Sequence, residues 1–259
     1  YFIRDLYLKV KNVIAKFSVT SLLSKMDQGV LCISLDFEKY WGIHDIFSWK
    51  DKKEELARVE QTVSRLIALF EKEKIHCSWA VVGLLGHENP EELLKSEALK
   101  TIPYHTTEYS PFPLTTKKYD GIPTEIINGS KEIEQLKKVP FQELSSHTYS
   151  HYYGLEKGQT AKDFKLDLQR MKEVMKTDFK SIVFPRNQVN PTYLRLCAED
   201  GMIAYRGNQE NKLWSNSSYT NESFLKKGKR WMDAYYNISS TKQFKLSNLQ
   251  KIEGLVNVP

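Results

Sequence analysis

The chain has 259 residues, with 38 Lys and Arg against 32 Asp and Glu and a formal net charge of +6. Hydrophobic residues make up 41% and aromatics 12%, enough to fill one large core, which excludes a disordered chain and suits one α/β domain. The cations are spread along helical stretches rather than gathered into a patch, which argues against nucleic acid as a partner, and no stretch is long and apolar enough to span a bilayer.

In chain order the first element is a helix. Ile3, Leu6, Val10, Val13, Ile14 and Phe17 fall on one helical face, with Arg4, Lys9, Lys11 and Lys16 elsewhere. Residues 1–28 are therefore expected as a helical extension that packs on the body or lies on a membrane surface. Residues 29–35 form a buried-strand run that ends at Asp36 and Glu38. Residues 51–74 carry Leu56, Val59, Val63, Leu66, Ile67 and Phe70 at helical spacing. Residues 77–85 are the next strand, and Pro90 opens a short helix with Asn89 as its cap. Residues 102–129 are rich in Pro, Thr and Tyr and lack a sustained period, so a long loop with short turns, placed to cover a site, is expected there. Short strands over 139–144, 181–184 and 202–205 follow, interleaved with helices over 160–177 and 191–200, the latter closed by Gly201. Residues 214–223 are polar and expected to be exposed, and Phe224–Tyr236 is a last helix. This alternation predicts a mainly parallel sheet with helices outside, closed or open. Cys32, Cys77 and Cys197 lie in or beside apolar runs without disulfide or zinc-ribbon spacing and are expected as buried thiols of a reducing compartment. No secretory signal is visible, but the chain opens on Tyr1 and closes after the apolar run Leu255-Val256-Asn257-Val258-Pro259, so both ends are expected to be trimmed.

Chemically capable residues recur just past the apolar strands: Asp36 and Glu38, His147, Arg186 with Asn187, and Arg206-Gly207-Asn208. Barrels and open parallel sheets build their sites there. His147 and His151 are four residues apart, and a backbone that is helical or turns between them can aim both at one metal. A carboxylate completes a three-ligand site with a position open to water, and a second carboxylate takes the proton of that water. Alone, such a histidine pair is more often two surface or capping residues. Its place behind an apolar strand is what points to chemistry.

Four segments carry a resemblance to a known family: Ser34-Leu35-Asp36-Phe37-Glu38-Lys39-Tyr40-Trp41-Gly42, Ser78-Trp79-Ala80-Val81-Val82-Gly83, Ser146-His147-Thr148-Tyr149-Ser150-His151-Tyr152-Tyr153, and Phe184-Pro185-Arg186-Asn187-Gln188-Val189-Asn190. In content and order they resemble the polysaccharide deacetylases, the NodB-homology carbohydrate esterases, and in particular members that serve bacterial capsule or O-antigen assembly. The resemblance implies a distorted (β/α)7 TIM-like barrel over residues 29–259, incomplete at its C-terminal end, a divalent metal that is usually Zn2+, and removal of acetyl groups from an N-acetylated glycan. It implies Asp36 as catalytic base, His147 and His151 as metal ligands, Thr148 as a support of the histidine loop and Arg186 as the residue that orients the base. The usual motif has a second Asp directly after the base. Phe37 stands there and cannot ligate, so Glu38 is the expected third ligand.

The implied reaction is attack of a metal-activated water on the acetamide, with an N–H near Asn187 steadying the oxyanion and Trp41 and Tyr152 holding sugar rings. The family's final histidine, the general acid, has no counterpart after His151 and is expected beyond Pro259. The expected setting is cytoplasmic, at the inner membrane surface if the helical extension binds there. Two other readings remain open: a relative acting on another amide, and a carbohydrate-binding barrel without turnover.

Overall fold

The computed structural model describes residues 30–95, 104–112, 114, 117–208, 223–236 and 246–259. The helical extension expected over 1–28, and all but the last residue of the polar stretch over 214–223, lie outside these residues. Strands β1 (Ser34–Phe37), β2 (Cys77–Val81), β3 (Gln142–Ser146), β4 (Ser181–Val183), β5 (Ala204–Arg206), β6 (Lys251–Ile252) and β7 (Leu255–Val258) form one sheet in the order β1-β2-β3-β4-β5-β7-β6. All neighbours are parallel except β6 and β7, an antiparallel hairpin. That hairpin turns through Glu253 and Gly254, both at positive φ (49° and 95°), as a two-residue turn matched to strand twist requires.

Side chains alternate between the two faces of each strand. Phe37, Trp79, Val81, Ile182 and Tyr205 enter the buried core. The helices supply the other half of that core. Helix α1 (Trp49–Ala57) is followed at Arg58 by α2 (Val59–Glu73), which buries Val63, Ile67 and Phe70 at helical spacing. The single helix expected over 51–74 is thus two. Helices α3 (Pro90–Lys95), α4 (Thr124–Ile127) and α5 (Ser130–Lys138) lie between β2 and β3. Helix α6 (Ala161–Met175) is capped by Thr160, whose hydroxyl accepts from the Asp163 N–H, and buries Phe164, Leu168, Met171 and Met175. Helix α7 (Pro191–Glu199) is capped by the Asn190 side chain, and α8 spans Phe224–Tyr236.

The opposite parity of the strands is small and polar. Ser34, Ser78, Glu143, Ser145, Ser181 and Arg206 line a cavity of about 500 Å³. Glu143 accepts hydrogen bonds from Ser78 and Ser181 at 2.5 and 2.7 Å, which satisfies its carboxylate inside the curl of the sheet. Arg206 on β5 donates through both terminal nitrogens to Asp36 on β1 at 2.8 and 2.9 Å. That pair draws the first and fifth strands together, yet β1 and β6 remain the two edges of an open sheet. The distorted (β/α)7 barrel that the resemblance implies is met in part: the observed fold is a mixed α/β structure whose seven-stranded sheet is curled but open rather than closed.

Three further expectations are corrected. Residues 30–33 are not in the first strand; Val30 and Leu31 are exposed there, and the exposed Cys32 is not a buried thiol, unlike Cys77 and Cys197. The strand expected over 77–85 ends at Val81 and gives way to a 3-10 turn, Gly83–Gly86. The loop with short turns expected over 102–129 has, where it is described, two 3-10 turns as expected and in addition the short helix α4, and it buries Tyr119, Ile122, Ile126 and Ile127. It also anchors the segment after β1. Lys39 donates to the carbonyls of Glu125 and Asn128 and pairs with the buried Glu132 at 2.8 Å, and the Trp41 indole donates to Ile127 O at 2.8 Å.

Candidate metal centre

Glu38 follows β1 directly. Lys39, at φ 44°, turns the chain there, and the 3-10 turn Lys39–Gly42 begins. The turn brings Gly42 against the Glu38 side chain so closely that a Cβ at Gly42 would overlap the carboxylate. Gly42→Ala will therefore displace Glu38, and if the cluster binds a metal it will weaken that binding by about tenfold or more while leaving the far-UV spectrum unchanged, a result read by chelator competition.

His147 follows β3, and its N–H donates to Val81 O at 2.9 Å. The loop to His151 is not helical. Thr148 and His151 adopt positive φ, 65° and 55°, and the two imidazoles meet with centroids 5.1 Å apart. Such backbone needs external support. Gly83 and Leu84 donate N–H groups to the carbonyls of Thr148 and Tyr149 at 3.0 and 2.9 Å. Thr148 Oγ1 donates to His147 O at 2.5 Å and accepts from Tyr152 N at 2.7 Å.

Asp167 of α6, fully buried, accepts from Tyr149 N (2.6 Å), Ser150 N (3.0 Å) and Ser150 Oγ (2.5 Å). Burial pushes its carboxyl up to about 6 against the lowering effect of those three donors. A carboxyl whose pKa is raised on folding stabilises the fold most below its unfolded value, about 3.9, and that contribution is lost as pH rises through the folded value. Asp167→Asn will therefore fall further below the parent protein in unfolding free energy at about pH 4 than at about pH 8, measured by urea denaturation.

Three donor atoms converge. Glu38 Oε2 lies 3.2 Å from His147 Nε2 and 3.1 Å from His151 Nε2, and all three lie within 4.8 Å of one another. Two donors bound at about 2.0–2.1 Å to one tetrahedral zinc sit roughly 3.3 Å apart, so the spacing fits. The tautomer fits as well. His147 Nδ1 donates to Val183 O at 2.8 Å, which leaves the lone pair of the neutral ring on Nε2, facing a carboxylate. Electron-pair donors so placed need a proton or a metal between them. Both rings are buried and Glu38 is partly open to solvent. Burial alone would raise the Glu38 carboxyl, but hydrogen bonds and charge from the two histidines outweigh it and hold it well below the usual carboxylate range. Burial lowers His151, with Glu38 opposing. His151 Nδ1 has no hydrogen-bond partner among the described residues.

The other expected site residues divide. Asp36 lies in β1, two residues before Glu38, which stands just outside the strand at the start of the 3-10 turn. The cation that holds it is Arg206, not Arg186. Arg186, at φ 52°, instead donates to the buried Asp45 at 2.6 Å and lies over the Tyr153 ring at 4.4 Å. Tyr153 in turn packs edge-on against His151 at 5.1 Å. Arg186 is thus a neighbour of the centre through Asp45 and Tyr153. Trp41 and Tyr152 are fully buried, with polar atoms committed to Ile127 O and Thr160 O, so they are core and do not stack on a ligand. Asn187 is exposed, but its N–H donates to Phe184 O at 2.9 Å and those of Gln188 and Val189 donate to Pro185 O and Asn187 O, so these three are already engaged.

His44 completes this side. It is buried, with Nδ1 3.1 Å from Lys118 Nζ and Nε2 without a partner among the described residues. Burial and the charges of Lys118, His151 and Arg186 hold its pKa well below 6.5. With Lys118 donating to Nδ1, the ring proton sits on Nε2. His44 and Asp45 border a second cavity of about 570 Å³ that Tyr40, Trp49 and Tyr119 also line.

No family model and no curated protein matches the chain. Among solved structures it is similar to the BpsB deacetylase domain from Bordetella bronchiseptica, at 16% identity and a TM-score of 0.36 over 58% of this chain. The matched region spans 60% of that domain, and at that identity no residue role transfers.

Proposed function

We propose that this protein is a metal-dependent deacetylase that removes acetyl groups from N-acetylated amino sugars of a bacterial surface polysaccharide or its precursor. The observation that carries the reading is the convergence of Glu38, His147 and His151 at tetrahedral-edge spacing, with a backbone carbonyl holding His147 in the ligating tautomer. Two nitrogens and one oxygen suit zinc. When bound, such an ion polarises an amide carbonyl and lowers the pKa of a water.

The chain's own residues would do the rest. Glu38, His147 and His151 would hold the ion, and Glu38 is the member of the three that is partly open to solvent. Asp36 accepts the proton of the attacking water, with Arg206 holding both of its oxygens in orientation. His44 offers Nε2–H as a donor to the acyl oxygen or the leaving nitrogen, a role a neutral imidazole can fill. On this reading His44, whose Nε2 is buried without a partner among the described residues, is a candidate donor in addition to the histidine expected beyond Pro259. The reading is tested by zinc analysis of the purified protein together with acetate release from a panel of N-acetylated oligosaccharides. Zinc near one equivalent and acetate from at least one member are expected. Full zinc occupancy without acetate from any member would favour a glycan-binding barrel without turnover.

A further inference from the structure

Helix α8 is amphipathic in an unusual sense. At about 100° per residue, Phe224, Leu225, Trp231, Met232, Tyr235 and Tyr236 fall on one stripe roughly 140° wide, with Gly228 inside it. Lys226, Lys227, Lys229, Arg230 and Asp233 occupy the remainder. A helix that packs on its own protein turns the apolar stripe inward. Here the reverse holds. Among the helix residues whose burial is described, Asp233 is the buried one at 2% exposure, while the six apolar and aromatic side chains are 45–89% exposed. Trp231 and Tyr235 pack on each other at 5.0 Å on that outer face. Scattered exposed apolar residues need no explanation, but a continuous stripe does.

The charge pattern selects the occupant. The helix carries four cations and one acid. On the same wheel Lys227 and Lys229 border the stripe, one on each side. Long cationic side chains there can lay their methylenes along the apolar surface and extend their ammonium groups outward. An apolar stripe with aromatic residues and cations on both flanks matches the plane of an anionic bilayer, apolar below and negative all around. A second copy of this chain fits less well, because pairing the stripes would bring the two cationic borders together.

We propose that α8 is an interfacial helix that docks the protein on an anionic lipid surface, with Phe224, Leu225, Trp231 and Met232 inserted at the headgroup boundary. This inference rests on the helix alone and stands or falls independently of the deacetylase reading.

The test is flotation of the whole protein with phosphatidylcholine vesicles and with vesicles that also contain phosphatidylglycerol. Flotation with the anionic vesicles only, weakened by salt, is expected. Leu225→Ser with Trp231→Ser, and separately Lys227→Glu with Lys229→Glu, should each reduce partitioning by about tenfold or more without changing the melting temperature, since these side chains are exposed. Absence of flotation on anionic vesicles would overturn the proposal. So would flotation that neither double variant alters, which would assign binding to another segment. Concentration-dependent dimerisation that Leu225→Ser with Trp231→Ser abolishes would assign the face to a second copy and overturn it equally.

Discussion

Under the proposed function, Glu38→Gln will release the metal and end hydrolysis without unfolding the protein. Glu38 is the one charged donor of the three, and it is partly open to solvent, so an isosteric amide leaves no buried group stranded. The amide can still meet one imidazole, and the loop that carries the histidines is held by Thr148, Asp167, Gly83 and Leu84 rather than by Glu38. Removing a first ligand costs more than the 10–100-fold typical of groups behind the ligands, so affinity should fall by more than about a hundredfold. His147→Ala should match that loss and add a cost in stability. It leaves the buried Val183 carbonyl without its donor and opens a cavity, together roughly 2–4 kcal/mol. Competition with a zinc chelator, paired with thermal melts, separates the two effects. Unaltered affinity in Glu38→Gln would remove the carboxylate from the centre.

The second large effect concerns the base. Asp36→Asn should bind metal as the parent does yet hydrolyse roughly 10²–10⁴ times more slowly, because proton transfer from the water is lost. The Arg206 pair is partly exposed, so its disruption should cost no more than about 1 kcal/mol. Turnover that survives this change would shift the role to Asp45, the carboxylate that Arg186 holds. Asp45→Asn is then the next variant to assay.

The sequence showed where chemistry would gather more clearly than how it would be arranged. Strand ends were legible because apolar runs stop at polar residues, and Glu38, His147 and His151 all sit just past such ends. The four-residue histidine spacing allowed the two imidazoles to meet, while Glu38 as their companion was only what the family resemblance implied. The left-handed residues that make the convergence work, Lys39, Thr148 and His151, were not legible, because nothing in a lysine, threonine or histidine announces positive φ. Pairings were the weak point. Arg186 and Arg206 each follow a strand, and only the curl of the sheet decides that Arg206 reaches Asp36 while Arg186 reaches Asp45. Trp41 and Tyr152 lie beside motif residues and looked like ring-stacking platforms, but aromatic residues next to a site are as often its foundation, and burial distinguishes the two. Asp167 was one helical residue among several, and its role follows from the donors that the histidine loop turns toward it. The outward stripe of α8 was readable as a periodic pattern, but which way it faced was not.

Acetate release by one preparation, assayed as purified, after chelation and after zinc is restored, tests the central claim most directly. The convergent Glu38, His147 and His151 predict acetate from an N-acetylated oligosaccharide, its loss with the chelator and its return with zinc. Acetate release that persists undiminished in a protein shown to be free of metal would contradict the claim.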